Sequence, residues 1–321
     1  MTENILRAEQ LSKHYPIKEH GLFRSKAMVR AVEDVSLEVE KGEVFGLVGE
    51  SGCGKSSLGR VLLRLEEPSA GRVLFQGQDI GGFDRSELKA FRRQAQIIYQ
   101  DPYSALNPRQ RIQDLVREPL DIHELGTGRQ RSERVNRLLE KVGLRPDQAY
   151  RYPHEFSGGQ RQRIVIARAL ALNPKLILAD EAVSALDVSI QAQVINLLKD
   201  LRQEFNLTYI FISHDLSVIK HIADRVGVMY LGRLVEVAPK RFFYQEPKHP
   251  YSRALLSSAP VPDPRARRKR IILTGDVPSP ITPPSGCSFH PRCPQCLEMC
   301  KDTFPPLRQI SPQRYVACHL Y

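Results

Sequence analysis

The sequence has no hydrophobic run long enough to cross a bilayer. Its most apolar stretch, Ile164–Leu172, is interrupted by Arg168 and falls far short of the roughly 18 apolar residues a span requires. The start, MTENILRAEQLSKHYP, lacks a basic-then-apolar signal pattern. Any work at a membrane is therefore expected from its cytosolic side, through partners. Acidic residues are in deficit: 36 Asp and Glu against 47 Lys and Arg leave a formal charge of +11. That excess suits an anionic partner, nucleic acid or the inner leaflet of a membrane, or simply a solvated basic surface. The densest basic run (Arg265, Arg267, Arg268, Lys269 and Arg270) lies beside a Pro-rich segment and has no interleaved aromatics. It reads as a linker rather than a base-stacking platform. Cysteine is scarce before residue 287, where Cys53 stands alone, and the other five lie between Cys287 and Cys318. Such bunching, without a signal pattern, predicts a metal site rather than a disulfide framework. We find no internal repeat.

What is present has the composition of an ordinary globular chain, 41% hydrophobic and 26% charged. Segments 35–39 and 44–48 read as strands, and Val44-Phe45-Gly46-Leu47-Val48 has the continuous apolar character of a buried parallel strand. Similar runs occur at Ile97–Tyr99, Leu176–Ala179 and Tyr209–Ile212. Between the last two, Ile190, Val194, Leu197, Leu198, Leu201 and Phe205 recur at helical spacing. Strand, amphipathic helix, strand makes a βαβ unit and predicts a parallel α/β core. Residues 84–172 are richer in charge and helical pattern, which suggests a helical insertion. Val226–Leu231 and Leu234–Val237 flank Gly232-Arg233 as in a hairpin. After about residue 240, Pro278, Pro280, Pro283 and Pro284 punctuate a loop-rich tail.

Gly49-Glu50-Ser51-Gly52-Cys53-Gly54-Lys55-Ser56 fits G-x-x-x-x-G-K-[ST]. It follows one expected strand and precedes the helical pattern Ser57–Leu65, the context a phosphate-binding loop requires. A Gly-rich turn with an exposed lysine would need neither flank. The glycines let backbone N–H groups turn toward phosphates, and the helix N-terminus adds positive partial charge. Lys55 is expected to reach the β- and γ-phosphates, and the Ser56 hydroxyl to bind Mg²⁺. Cys53 occupies a variable position. Downstream, Leu176-Ile177-Leu178-Ala179 ends in Asp180-Glu181. Carboxylates at a buried strand end are costly without a cation. Asp180 is thus expected at Mg²⁺ and Glu181 at the attacking water.

Phe156-Ser157-Gly158-Gly159-Gln160-Arg161 opens a helix running to about Leu172, and Ser184-Ala185-Leu186-Asp187 and His214 follow the Asp-Glu pair. With the phosphate loop and Gln100 in Tyr-Gln-Asp-Pro, this order resembles the ABC ATPase family over residues 1 to about 240. The resemblance implies a P-loop NTPase core with a β-rich N-terminal part and a helical subdomain at 84–172. It implies ATP bound at Tyr15, Gly49, Glu50, Ser51, Gly52, Cys53, Gly54, Lys55, Ser56 and Ser57, with Tyr15 stacking on adenine. Ordinary packing is the lesser alternative for Tyr15 taken alone. It implies Mg²⁺ held by Ser56, Gln100 and Asp180, catalysis by Glu181, His214 and Gln100, and Asp187 at a dimer seam. Ser157, Gly158, Gly159 and Gln160 would bind the ATP of a second ATPase packed head to tail. Ala182 departs from the family's usual proline.

Tyr99–Arg109, Ala185–Gln193 and His249–Leu256 further resemble the dipeptide/oligopeptide importer ATP-binding subunits over nearly the whole chain. That implies a paralogous ATPase partner, two integral membrane permease subunits and an extracytoplasmic substrate-binding protein, with this chain peripheral at the cytoplasmic face of the inner membrane and no nucleic acid partner. Importers of nickel or glutathione have similar sequences. The tail, residues 241–321, is expected as an extension in which Cys287, Cys293, Cys300 and Cys318, separated by five, six and seventeen residues, hold a [4Fe-4S] cluster. Four thiolates would also make a structural Zn²⁺ site, and Cys296 is additional.

Overall fold

The computed structural model describes residues 3–17, 27–258, 271–273 and 275–321. The basic run at 265–270 lies outside them. The chain begins with strands β1 (Asn4–Pro16), β2 (Met28–Glu40) and β3 (Val44–Val48), helix α1 (Lys55–Leu62), and strands β4 (Ala70–Phe75) and β5 (Gln78–Asp79). Next come α2 (Arg85–Gln94), β6 (Ala95–Ile98), α3 (Pro102–Ala105), α4 (Ile112–Ile122), α5 (Gly128–Lys141), α6 (Gly158–Leu170), β7 (Leu176–Asp180), α7 (Val188–Phe205) and β8 (Thr208–Ile212). It finishes with α8 (Leu216–Ile222), β9 (Arg225–Tyr230), β10 (Arg233–Pro239), α9 (Lys240–Gln245), α10 (Pro250–Ser258), β11 (Arg308–Ser311) and β12 (Arg314–Val316). These elements form two compact units. The first takes residues 1–40, 44–82 and 213–321, the second 41–43 and 83–212.

In the first unit an antiparallel sheet runs β2-β1-β4-β5. Val35, Leu37 and Val39 alternate inward along β2, the period-two pattern of a half-buried strand. A second run of strands, β11-β12-β10-β9-β3, pairs β3 parallel to β9 and the rest antiparallel. Every residue of β3 is buried, as its unbroken apolar sequence requires. The β9–β10 hairpin turns on Leu231 (φ +43°) and Gly232 (φ +79°), the double positive φ that matches strand twist. The turn therefore sits one residue earlier than the expected Gly232-Arg233. The tail is less irregular than its prolines suggested: α10 packs its apolar face, and β12 joins β10 through Glu236↔Val316.

The second unit carries the parallel ladder β8-β7-β6. Helix α7 connects β7 to β8 and buries Val194, Ile195, Leu198 and Leu201. Asn206, left-handed at φ 52°, ends it. Helices α4, α5 and α6 pack on one another, and Leu115, Val116, Val135, Leu138 and Ile164 along them are buried. Among the described residues no helix is long and apolar enough to cross a membrane.

Candidate functional site

The first unit builds the phosphate loop between β3 and α1. Two glycines are sterically obligatory there. A Cβ on Gly49 would stand 2.2 Å from the Met229 carbonyl oxygen, and one on Gly54 (φ +102°) 1.9 Å from that of Ala31. Helix α1 starts at Gly54 with no side-chain cap and no acidic residue in its first turn. Its terminal N–H groups are thus not used by a cap, the condition for anion binding at a helix N-terminus. The Lys55 ammonium is buried and donates to the Gly49 and Glu50 carbonyl oxygens, both at 2.9 Å. Cys53 lies beside it, with Nζ–Sγ at 3.7 Å. Burial pushes the Cys53 thiol up from its ordinary value, so it is a small packed residue and not a reactive thiolate.

Tyr15 is half-buried near the end of β1. Its hydroxyl donates to Glu66 and also meets the Ser57 hydroxyl, which ties it to the start of α1. Burial raises its phenol, and the Glu66 contact adds to this. The Ser213 N–H donates to the Leu47 carbonyl at 3.2 Å, so exposed His214 emerges beside the strand that feeds the loop.

The second unit carries the carboxylates and the signature segment. Asp180 ends β7 and is only 8% exposed. Glu181 follows at φ +50°, in the left-handed region. Its N–H donates to the Ile212 carbonyl at 3.0 Å, and its own carbonyl accepts from the Ser184 N–H and hydroxyl at 3.0 and 2.9 Å. A non-glycine residue in that conformation costs on the order of 1–3 kcal/mol and persists where neighbours over-determine it. Such held strain is common at catalytic positions. Buried Ala182 needs no proline to keep this turn, since Gln191 Nε2 donates to the Val183 carbonyl at 2.9 Å.

Ser157 caps α6 in a reciprocal box: its hydroxyl accepts from the Gln160 N–H, and Gln160 Oε1 accepts from the Ser157 N–H at 3.1 Å. Gly159 has a packing role, because a Cβ there would lie 2.5 Å from Ile190 Cγ2 of α7. Gln100 is exposed just past β6, and Asp101 caps α3 by accepting from Tyr103 and Ser104 N–H. Arg161 stacks on Tyr103 at 4.0 Å, and Arg168 donates to the Ala105 carbonyl at 2.8 Å. These two arginines fasten the Gln100 segment to α6. Beside it lies an open cleft of about 500 Å³ lined by Tyr99, Ser104, Ala105, Pro119, Val165 and Arg168. Asp187 and Val188 begin α7, and Val188 is 82% exposed.

The structure thus gathers Tyr15, residues 49–57 and His214 in one unit, and Gln100, residues 157–160, Asp180, Glu181 and Asp187 in the other. Sequence reasoning assigned no site role to Tyr251 or Arg292, yet both reach Glu50 of the loop.

The expected metal ligands are gathered but not closed into a site. Cys287 N–H donates to the Cys300 carbonyl at 2.8 Å. Burial pushes the Cys287 thiol up to about 11, and Cys300, Cys318 and Cys293 lie near enough to add to this. Cys293 and Cys318 are raised by the same causes, burial first. Among the described residues, however, no group of three or more His, Cys, Asp or Glu is arranged to hold a metal ion. The expected cluster ligands Cys287, Cys293, Cys300 and Cys318 thus do not form a metal-holding group here. An all-thiol donor set still suits a thiophilic metal or iron–sulfur cluster.

Comparison with known proteins agrees with this arrangement. The family model described as ABC transporter matches residues 32–184, and that described as oligopeptide/dipeptide transporter, C-terminal region, matches residues 235–300. The chain is 54% identical to the oligopeptide transport ATP-binding protein AppF of Bacillus subtilis, over 99% of this chain and 98% of that one. It is 55% identical to the probable peptide ABC transporter ATP-binding protein y4tS of Sinorhizobium fredii, over 100% of this chain and 91% of that one. Among solved structures it resembles the dimeric ATP-binding cassette MJ0796 bound to ADP and Pi, with a TM-score of 0.65 and 29% identity over 74% of this chain and 99% of that one. The chain is an ABC transporter ATPase and belongs to the oligopeptide/dipeptide family of ATP-binding subunits.

Proposed function

We propose that this subunit powers the import of di- or oligopeptides through a binding-protein-dependent ABC transporter. The observation that carries the reading is the C-terminal oligopeptide/dipeptide region, joined to an ATPase whose catalytic positions are all filled. ATP binds at residues 49–57 with Tyr15 against the adenine. Lys55 supplies the cation for the phosphates, and Ser56, Asp180 and Gln100 hold Mg²⁺. Glu181 takes the proton of the attacking water, and His214 steadies the γ-phosphate. Residues 157–160 serve the nucleotide of a second ATPase, a paralogue, across a seam that includes Asp187. The chain works with two integral membrane permease subunits, peripherally at the cytoplasmic face of the membrane. Residues 1–240 are the ATPase domain, and 241–321 an extension whose Cys287, Cys293, Cys300 and Cys318 would hold a [4Fe-4S] cluster, or alternatively Zn²⁺, as thiolate ligands. The test is reconstitution in proteoliposomes with both permeases, the second ATPase and the binding protein. Peptide should stimulate ATP hydrolysis and enter the vesicle, and Glu181→Gln should lower turnover at least about 100-fold while retaining ATP. Stimulation by a nickel complex or glutathione and not by peptide would refute the peptide reading.

A further inference from the structure

Three separate handles on one residue join the C-terminal extension to the phosphate loop. The Glu50 carbonyl accepts from the Lys55 ammonium at 2.9 Å. The Glu50 N–H donates to the Tyr251 hydroxyl of α10 at 2.9 Å. The Glu50 carboxylate receives a two-pronged contact from Arg292, Nη1–Oε2 at 3.0 Å and Nη2–Oε1 at 3.4 Å. The Arg292 side chain is 9% exposed and that of Glu50 28%, so water screens this pair less than an exposed one. Tyr251 itself is fixed in an aromatic cluster, with ring centroids 4.7 Å from Tyr230 and 5.4 Å from Phe289. Phe289 and Arg292 lie between Cys287 and Cys293.

The charge arithmetic gives these contacts a function. Glu50 places a carboxylate within a loop built to receive a polyanion. Unneutralised, it would repel phosphates and compete for Lys55; paired with Arg292, it does neither. We propose that Arg292 and Tyr251 are positioning residues of the ATP site: Arg292 neutralises and orients Glu50, and Tyr251 fixes its backbone, so the cysteine-bearing extension sets ATP affinity. The proposal rests on residues 49–57 being the ATP site.

The test is ATP affinity of the full-length subunit by calorimetry without hydrolysis, with thermal unfolding alongside. Arg292→Ala should weaken ATP about tenfold, in the range measured for coupled contacting pairs. Glu50→Gln, which removes the charge, is the reference background for the comparison. The double variant Glu50→Gln/Arg292→Ala should recover most of the loss, because the stranded carboxylate is gone. A purely structural role for Arg292 would show no such rescue. Tyr251→Phe keeps the ring and should weaken ATP about threefold, the share of one neutral hydrogen bond. Should Arg292→Ala fail to fold, Arg292→Met with and without Glu50→Gln gives the same comparison. ATP affinities within twofold of wild type for folded Arg292 and Tyr251 variants, or loss without rescue, would overturn the proposal. Undiminished binding by Lys55→Ala would instead overturn the ATP-site reading beneath it.

Discussion

Acidification should loosen the junction of α10 with β10 through a single imidazole. His249 is 1% exposed. Its Nδ1 accepts from the Tyr251 backbone N–H at 3.1 Å, and the His249 backbone N–H donates to Glu236 Oε2 at 2.8 Å. A protonated ring could not accept at Nδ1. Burial, with Arg253 nearby, lowers this histidine from its ordinary 6.5 to about 3. The unfolded chain therefore takes up a proton near pH 6.5 that the folded chain refuses until about pH 3, so stability is lost as pH falls through this window. Between pH 7 and pH 5 the loss is about 2 kcal/mol. Glu236 acts in the opposite sense, because burial raises its carboxyl above the ordinary range, so wild type alone would not isolate the effect. His249→Asn removes the titration while keeping an acceptor for the Tyr251 N–H. Urea unfolding of both proteins at pH 7 and pH 5 is the assay. The variant's packing loss is a constant offset; its deficit relative to wild type should shrink by about 2 kcal/mol at the lower pH. Parallel pH dependences would refute the assignment.

Gly54→Ala and Gly52→Ala should separate steric need from turn preference. Position 52 has φ +78° with open space around a Cβ, and position 54 has φ +102° with a carbonyl oxygen 1.9 Å away. The first should cost about 1 kcal/mol; the second should cost about 3 kcal/mol or more and abolish ATP binding, both read by denaturant unfolding and calorimetry. Ser157→Arg should leave ATP affinity on its own chain unchanged but prevent ATP-driven pairing of subunits carrying Glu181→Gln, seen by size-exclusion chromatography. Anaerobically purified protein should carry iron and labile sulfide with visible absorption, lost in Cys318→Ser and kept in Cys296→Ser. A colourless protein with one zinc would exclude the cluster.

The parallel core was legible because its strands are continuous apolar runs. Val44–Val48, Leu176–Ala179 and Tyr209–Ile212 are all buried as their sequence demands. The long antiparallel pair β1 and β2 was harder to read. β1 contains Gln10 at φ +48° and register shifts between Ala8 and Leu11, and such bulges break the period-two pattern that sequence reading relies on. The strands β11 and β12, Arg-Gln-Ile-Ser and Arg-Tyr-Val, are too short and polar to show periodicity. They are strands because β10 offers them a ladder edge. In α7 the expected Val194, Leu198 and Leu201 are buried together with Ile195, whereas Ile190, Leu197 and Phe205 are only half-buried.

The site divides along a similar physical line. Residues that act through local backbone geometry, the glycines at 49 and 54, the capping pair Ser157–Gln160 and the strand-end Asp180, announce themselves by spacing, since the chain within a few residues dictates their conformation. Residues that act by reaching across the fold do not. Arg292 and Glu50 are 242 positions apart, and Glu50 occupies a motif position that tolerates many side chains. Nothing in the local pattern requires it to be acidic. Only when the cysteine segment is seen against the loop does the carboxylate acquire a partner, and an arginine flanked by candidate ligands acquire a reason to be charged. The tail is fastened to the rest of its unit by specific long-range contacts. Placing several of them on the phosphate loop means that whatever orders the cysteine segment also orders the loop, which makes ATP affinity a direct readout of the tail's folding.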